Sequence, residues 1–407
     1  MSDIQYQAFE TRQKERGIDI EAVKRELKAL KVETPSWGYG DSGTRFKVFK
    51  KVGVPRDPFE KLDDAAVVHK LTGLTPSVAI HIPWDKVDDY TQLSEYAASL
   101  GLRIGAVNPN LFQEDDYMLG SITNADENVR KKAVDHLLEC VEIAKEVGSD
   151  IVSLWLADGT NYPGQADIRK RKHWMEEALA QTYQALESGM RLLIEYKFFE
   201  PAFYHTDLAD WGMAYNTAVK LGPQAEVLVD TGHHAQGTNV EHIVAYLLDE
   251  ERLGGFHFNS RKYADDDLIV GAINPYELFL IFYQILAALR DDEHPGTQQT
   301  ARRIAYMIDQ SHNIEPKIPA MIRSLLNVQT YYAKALLIQW DELEDAQAKQ
   351  DVLRAEACVR EAFEQDVTPL LHAVREEMNV PRDPMKAFYE SGYLDKIQER
   401  GVGGASW

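Results

Sequence analysis

Short apolar runs alternate along the chain with longer amphipathic stretches, and that rhythm predicts the fold. The runs are Val78-Ala79-Ile80-His81, Arg103-Ile104-Gly105-Ala106-Val107, Ile151-Val152-Ser153-Leu154-Trp155, Leu192-Leu193-Ile194-Glu195, Val227-Leu228-Val229-Asp230, Gly255-Phe256-His257-Phe258 and Ile304-Ala305-Tyr306-Met307-Ile308. Their brevity and near-continuous apolar character suit parallel strands buried on both faces. The stretches between them carry helical spacing. From Asn128 to Val147, for example, Val129, Ala133, Val134, Leu137, Leu138, Val141 and Ala144 fall along one face. Gly148 then stands where a C-terminal cap glycine belongs. A further strand near Trp37–Gly40 makes eight, joined by helices long enough to cross between parallel neighbours. The pattern predicts an α/β fold, a (β/α)8 TIM barrel, with a doubly wound open sheet as the rival. No Gly-x-Gly-x-x-Gly follows an early strand, which weakens the dinucleotide-binding form of that rival.

The ends extend this picture. Ile18, Ile20, Val23, Leu27 and Leu30 give the N-terminal segment a helical face before Pro35 and Gly38 break it. From about Met321 onward the pattern is almost wholly helical. The expected organisation is a barrel with an N-terminal helix over 1–335 and a C-terminal helical extension over 336–407. That extension either contacts another subunit or covers the barrel of its own.

Composition narrows the partners. A net charge of −21 opposes binding to a polyanion, which needs a concentrated positive field, so no nucleic acid is expected. The N-terminus lacks the basic-then-apolar layout of a secretion signal, and no run of ~18 apolar residues exists to span a bilayer. Only Cys140 and Cys358 occur, both in helical patterns, which suits reduced, buried thiols. A cytoplasmic protein without a membrane partner is expected.

The chemistry lies at the ends of the runs. Glu195, Asp230, His257 and Asp309 close or follow apolar runs, His233 lies three residues beyond Asp230, and Asp265 and Asp267 flank Asp266. In a parallel barrel, catalytic groups collect at the C-terminal ends of the strands. Carboxylates and imidazoles gathered there suit a hard or borderline divalent ion. Asp265 and Asp267, if extended, point to the same side, as do Glu195 and Lys197. Each element alone has a plainer reading. An Asp-Asp-Asp run is ordinarily a solvated loop, His257 between two phenylalanines a core histidine, Glu195 a partner for Lys197, and Asp309 a helix cap. Their joint appearance at successive strand ends is what points to a metal site. His81, four residues before Asp85, suits either an oriented donor pair or a structural hydrogen bond at the barrel mouth. His234 faces away from the metal if its backbone is extended.

In this order the residues resemble the xylose isomerase-like superfamily, and within it the L-rhamnose isomerase group with broad aldose specificity. The resemblance runs from His81-Ile82-Pro83-Trp84-Asp85 to Ile318-Pro319-Ala320 and is most specific from Gly255-Phe256-His257-Phe258-Asn259 through Asn274-Pro275-Tyr276-Glu277-Leu278. It implies two divalent metal ions per subunit, Mn²⁺ foremost, with Co²⁺, Mg²⁺ or Zn²⁺ as alternatives. Glu195, Asp230, His257 and Asp309 would hold the first ion. His233, Asp265 and Asp267 would hold the second, with Asp230 bridging. Lys197 would donate to the substrate oxygen near C1, Asp309 would assist proton transfer, and His81 would contact the sugar. Trp37, Phe112 and Trp155 would form apolar walls, and Phe46 would reach a neighbouring subunit's site. The implied assembly is a homotetramer. The implied activity is interconversion of L-rhamnose and L-rhamnulose, and of D-allose and D-allulose. The alternatives are another sugar isomerase or 3-epimerase on the same barrel, a metal-dependent barrel hydrolase, and a non-catalytic sugar-binding barrel. A hydride shift and a cis-enediol route are both compatible with these residues, and Lys197→Met is expected to leave folding and metal content intact.

Overall fold

The computed structural model describes residues 2–41, 48–200, 204–311 and 314–402. Phe46 lies outside the described residues. Eight parallel strands form one sheet in chain order: Thr34–Pro35, Ser77–Ile82, Arg103–Pro109, Ile151–Trp155, Arg191–Glu195, Ala225–Asp230, Leu253–Phe258 and Ala305–Ile308. The last strand returns to the first. Glu33 N donates to Tyr306 O at 2.8 Å and Ile308 N to Glu33 O at 3.0 Å, which nearly closes the barrel. The expectation of a (β/α)8 barrel is met.

The first strand departs from expectation. It is the dipeptide Thr34–Pro35, whereas Ser36–Gly38 forms a 3₁₀ turn, so Trp37 stands just beyond the strand rather than within it. Pro35 has no N–H to continue a ladder, and Gly38 leaves too little room for a side chain beside Met321 Cε, 2.9 Å from its ideal Cβ position. The N-terminal segment likewise divides, into Ser2–Glu15 and Ile20–Ala29, at Gly17 with φ +78°. The helix expected around Asn128–Val147 spans Glu127–Glu146, with Asp126 capping its start and Gly148 at φ +71° beyond its end.

Side-chain alternation sorts each strand into two cores. Leu192, Ile194, Val227, Val229, Phe256 and Phe258 face outward into the large cluster beneath the helices. Ala79, Ala106, Ile151, Leu193, Leu228 and Met307 face inward and pack with Trp37 inside the barrel. Small and large residues alternate there because the taper admits few large side chains in one layer. Below this layer, Glu226 is buried between Arg191 and Arg303. Glu33 also reaches inward and accepts from Ala106 N at 2.9 Å. The carboxylate occupies the space that a side chain at position 105 would need, since a Cβ there would lie 1.6 Å from Glu33 Oε2. Gly105→Ala is therefore expected to destabilise the protein by on the order of 3 kcal/mol, read from the chemical-denaturation midpoint.

Beyond the last barrel helix, Lys317–Ala335, follow Trp340–Ala348, Val352–Glu364, Thr368–Glu377, Pro384–Glu390 and Tyr393–Gln398. These helices pack on their own chain. Leu370, Val374 and Phe388 are fully buried, Glu377 pairs with Lys24 and with Lys28, and Arg375 donates to Gln329 at 2.7 Å. None of the described helices is long and apolar enough to cross a membrane.

Candidate active site

Alternation that places Leu193 and Leu228 inside the barrel also places Glu195 and Asp230 inside, two residues further along the same strands. His257 on the seventh strand and Asp309 just past the eighth complete a ring at the C-terminal end. Glu195, Asp230, His257 and Asp309 each offer a ligand atom within 4.8 Å of the others. Asp230, His233 and Asp265 form a second such group, so Asp230 belongs to both. All but Asp309 are buried, and its side chain is 25% exposed toward the cavity. His257 Nδ1 lies 3.1 Å from Glu195 Oε2 and 3.6 Å from Asp309 Oδ2. His233 Nε2 lies 3.4 Å from Asp265 Oδ1 and 3.9 Å from Asp230 Oδ2.

Two observations make these groups fit divalent cations. Glu195 Oε1 and His257 Nδ1 are buried, and their approaches to His233 Nδ1 at 3.2 Å and to Glu195 Oε2 at 3.1 Å are too poorly aligned for hydrogen bonds, an arrangement that costs free energy unless something else meets them. The field is also strongly anionic. Burial alone would lower the proton affinity of His233, yet Asp230, Asp265 and Glu195 together raise its pKa to about 9. His257 is raised to about 9 against the same burial penalty by Glu195, Asp309 and Asp230. Burial, reinforced by neighbouring carboxylates, pushes Asp230 up to about 7. A pocket that attracts protons this strongly attracts metal cations for the same reason.

Neighbouring groups aim the ligands. Asn259 Nδ2 donates to both oxygens of Asp230, at 3.0 and 3.1 Å, and Gly232 N donates to Oδ1 at 2.6 Å. Trp37 Nε1 donates to Asp309 Oδ1 at 2.8 Å, so Trp37 orients a candidate ligand and also lines the cavity. His233 Nδ1 meets Tyr196 O at 3.0 Å, which fixes the ring and leaves Nε2 toward the acids. His234 turns away, as expected, and its Nε2 meets Tyr196 Oη at 2.7 Å.

Three expectations change in detail. Lys197 is fully buried and does not pair with Glu195. Its Nζ lies 2.6 Å from both Glu200 Oε2 and Asp265 Oδ2, and 5.0 Å above the Trp155 ring centre. His81 does not form a side-chain pair with Asp85, because Asp85 is held by Lys61 Nζ at 2.6 Å and accepts from the backbone N of His81 at 2.8 Å. The His81 ring instead stacks on Trp84 at 3.9 Å, and burial pushes its pKa down to about 3, so it is neutral. Asp267 does not continue extended backbone beside Asp265. It adopts φ +48°, lines the same cavity and lies outside the two close-packed ligand groups.

The ring of ligands forms one side of a cavity of about 460 Å³. The other side is aromatic. Phe112 packs 4.8 Å from Trp155 and 5.8 Å from His81, and Trp37 meets His81 edge-on at 5.4 Å. Trp84, Asn108, Tyr117, Glu200 and Asn259 belong to or support this site without having been singled out from sequence. Trp84 and Asn259 sit inside the segments that carry the family resemblance. Glu200, in the two-residue strand Phe199–Glu200, and Tyr117, in the 3₁₀ helix Asp115–Leu119, belong to short segments between barrel elements with no periodic signal, and only folding brings them in.

Comparison with known proteins agrees with this geometry. Residues 71–297 match the family model described as xylose isomerase-like TIM barrel. A "probable sugar isomerase" of Rhizobium meliloti is 42% identical over 397 residues, covering 96% of this chain and 91% of that protein. A xylose isomerase of Thermus thermophilus is 27% identical over 262 residues, covering 56% of this chain and 65% of its own. The solved D-psicose 3-epimerase of Clostridium cellulolyticum shares the fold, with a TM-score of 0.51 at 13% identity over 76% of this chain and 99% of that one. The chain belongs to the xylose isomerase-like TIM barrel family.

Proposed function

We propose that the protein is a metal-dependent aldose–ketose isomerase that interconverts L-rhamnose and L-rhamnulose, and also D-allose and D-allulose. The observation that carries this reading is two ligand groups sharing Asp230, set across one cavity from an aromatic wall. Similarity to proteins named as sugar isomerases supports the reaction class. Glu195, Asp230, His257 and Asp309 would hold one divalent ion, preferably Mn²⁺, and Asp230, His233 and Asp265, with Asp267 lining the same cavity, would hold a second.

Moving a carbonyl between C1 and C2 requires polarising the C=O and stabilising the neighbouring oxygen as it loses its proton. Divalent ions held by these residues would supply that Lewis acidity. The chain's own groups do the rest. Lys197 brings a buried positive charge to the edge of the ligand set, where developing negative charge is stabilised. Asp309, held at Oδ1 by Trp37, keeps Oδ2 for the hydroxyl proton. His81, held neutral by burial, stacks on Trp84 and meets Trp37 edge-on in the wall that contacts the sugar. Trp37, Phe112 and Trp155 cover the apolar faces of the open-chain sugar and exclude water.

The test is turnover on a panel of aldoses before chelation, after it, and after restoring Mn²⁺ or Co²⁺. Chelation is expected to abolish isomerisation and restoration to return it, with L-rhamnose and D-allose among the best substrates. Undiminished turnover by metal-free protein would overturn the mechanism. C3 epimerisation of ketoses without aldose formation would favour an epimerase.

A further inference from the structure

A buried carboxylate just past the second strand has no part in the mechanism above, yet separate segments of the chain converge on it. Asp85 is fully buried, and its Oδ1 meets Lys61 Nζ at 2.6 Å. That lysine stands on the helix Pro58–Thr72, and its side chain is only 5% exposed. Asp85 Oδ2 accepts from the backbone N of His81 at 2.8 Å and from Ser36 Oγ, at the start of the turn that follows the first strand. Asp85 N in turn donates to His81 O at 2.8 Å, so residues 81 and 85 are bonded in both directions. The carboxylate thus grips the backbone beneath the His81 ring rather than the ring itself.

Both segments that Asp85 holds lead to the candidate site. Ser36 immediately precedes Trp37 in the 3₁₀ turn Ser36–Gly38. Trp37 Nε1 donates to Asp309 Oδ1 at 2.8 Å, and the Trp37 ring meets His81 edge-on at 5.4 Å. Contacts therefore run from Lys61 through Asp85, Ser36 and Trp37 to Asp309, and the first four of these residues are buried. Taking an ion pair out of water is costly, and apolar side chains of similar volume often serve stability as well. What they could not supply is a charged acceptor that ties the turn to the end of the second strand, and hydrogen bonds to an ionised group are stronger than neutral ones. Groups that hydrogen-bond a metal-ligating carboxylate orient it and alter metal affinity.

We propose that Asp85, neutralised by Lys61, is a positioning residue that sets Trp37 against Asp309 through Ser36, and so shapes the ligand group to which Asp309 belongs. This rests on the metal-dependent reading above and adds to it what fixes the Asp309 carboxylate. The test is calorimetric Mn²⁺ titration of the metal-free protein, which needs no substrate. Ser36→Ala, which leaves the Lys61–Asp85 pair intact, is expected to weaken ~10-fold the Mn²⁺ site that Asp309→Asn removes, the scale for losing a hydrogen bond behind a ligand. Binding that survives Asp309→Asn should keep its affinity in Ser36→Ala. Trp37→Phe, which removes the indole N–H, is expected to show the same loss. Ser36→Ala/Trp37→Phe should lose no more than Trp37→Phe alone, because both changes interrupt one path. Asp85→Asn is expected to act in the same direction, and if it does not fold, the Ser36 and Trp37 variants decide. Wild-type Mn²⁺ affinity in Ser36→Ala would overturn the proposal, as would an equal loss at every site or additive losses in the double variant. Wild-type protein that bound Mn²⁺ but turned over no aldose would sink the isomerase reading alone, whereas one that bound no Mn²⁺ would overturn both.

Discussion

Asp230→Asn is expected to lower kcat/KM for aldose isomerisation by on the order of 10³- to 10⁵-fold, the scale of losing metal-based charge stabilisation. The reason is position. Asp230 is common to both ligand groups, so one substitution weakens both, whereas His233→Ala removes a ligand from one alone. Asparagine keeps one acceptor oxygen for Gly232 N and Asn259 Nδ2 but loses the second oxygen and the charge that a hard cation requires. Metal-free stability should not fall with activity. Burial and neighbouring acids already push the Asp230 carboxyl up to about 7, which marks its charge as a cost in the metal-free fold. Calorimetry checks both halves: Mn²⁺ binding and the metal-induced rise in Tm should disappear, while the metal-free Tm holds or rises. A variant that still bound metal at wild-type affinity would show that Asp230 is not a ligand.

Lys197→Met carries the second large effect, and it revises the expectation drawn from sequence. With Lys197 alternating after Glu195, its removal looked purely electrostatic, with folding and metal content intact. In the structure Lys197 is completely buried between Glu200 and Asp265, themselves nearly buried. Methionine there would remove the buried cation that both carboxylates share, a loss of about 3–5 kcal/mol for a broken buried pair. Urea unfolding of the metal-free protein should show that loss, and the double variant Lys197→Met/Glu200→Gln should recover part of it. Activity should fall as well, since Asp265 loses its anchor. Wild-type unfolding midpoints in Lys197→Met would show that the lysine is not needed for the fold.

Much of the site was legible before folding because strand alternation is a local rule. Once Leu193 faces inward, Glu195 must follow, and the same holds for Leu228 and Asp230. His257 and Asp309 stand at the corresponding ends of the next strands. Tyr117 and Glu200 were not legible because they lie in short segments between barrel elements, where no period relates a residue to the barrel axis. Asp267 was placed on extended backbone by its spacing from Asp265, and the positive φ it adopts depends on loop closure rather than on that spacing. His81 shows a third limit. Its spacing from Asp85 suggested a side-chain pair, but Lys61, distant in sequence, occupies that carboxylate.

The order of apolar runs and the residue types at their ends determined the barrel and the side of it on which acids and imidazoles gather. Backbone geometry enforces both within a few residues of each position. Which charges neutralise which, and that Asp230 belongs to two candidate ligand groups, were decided only by tertiary structure. Those outcomes depend on distances between segments far apart in the chain, and strong buried interactions form only at a few ångströms.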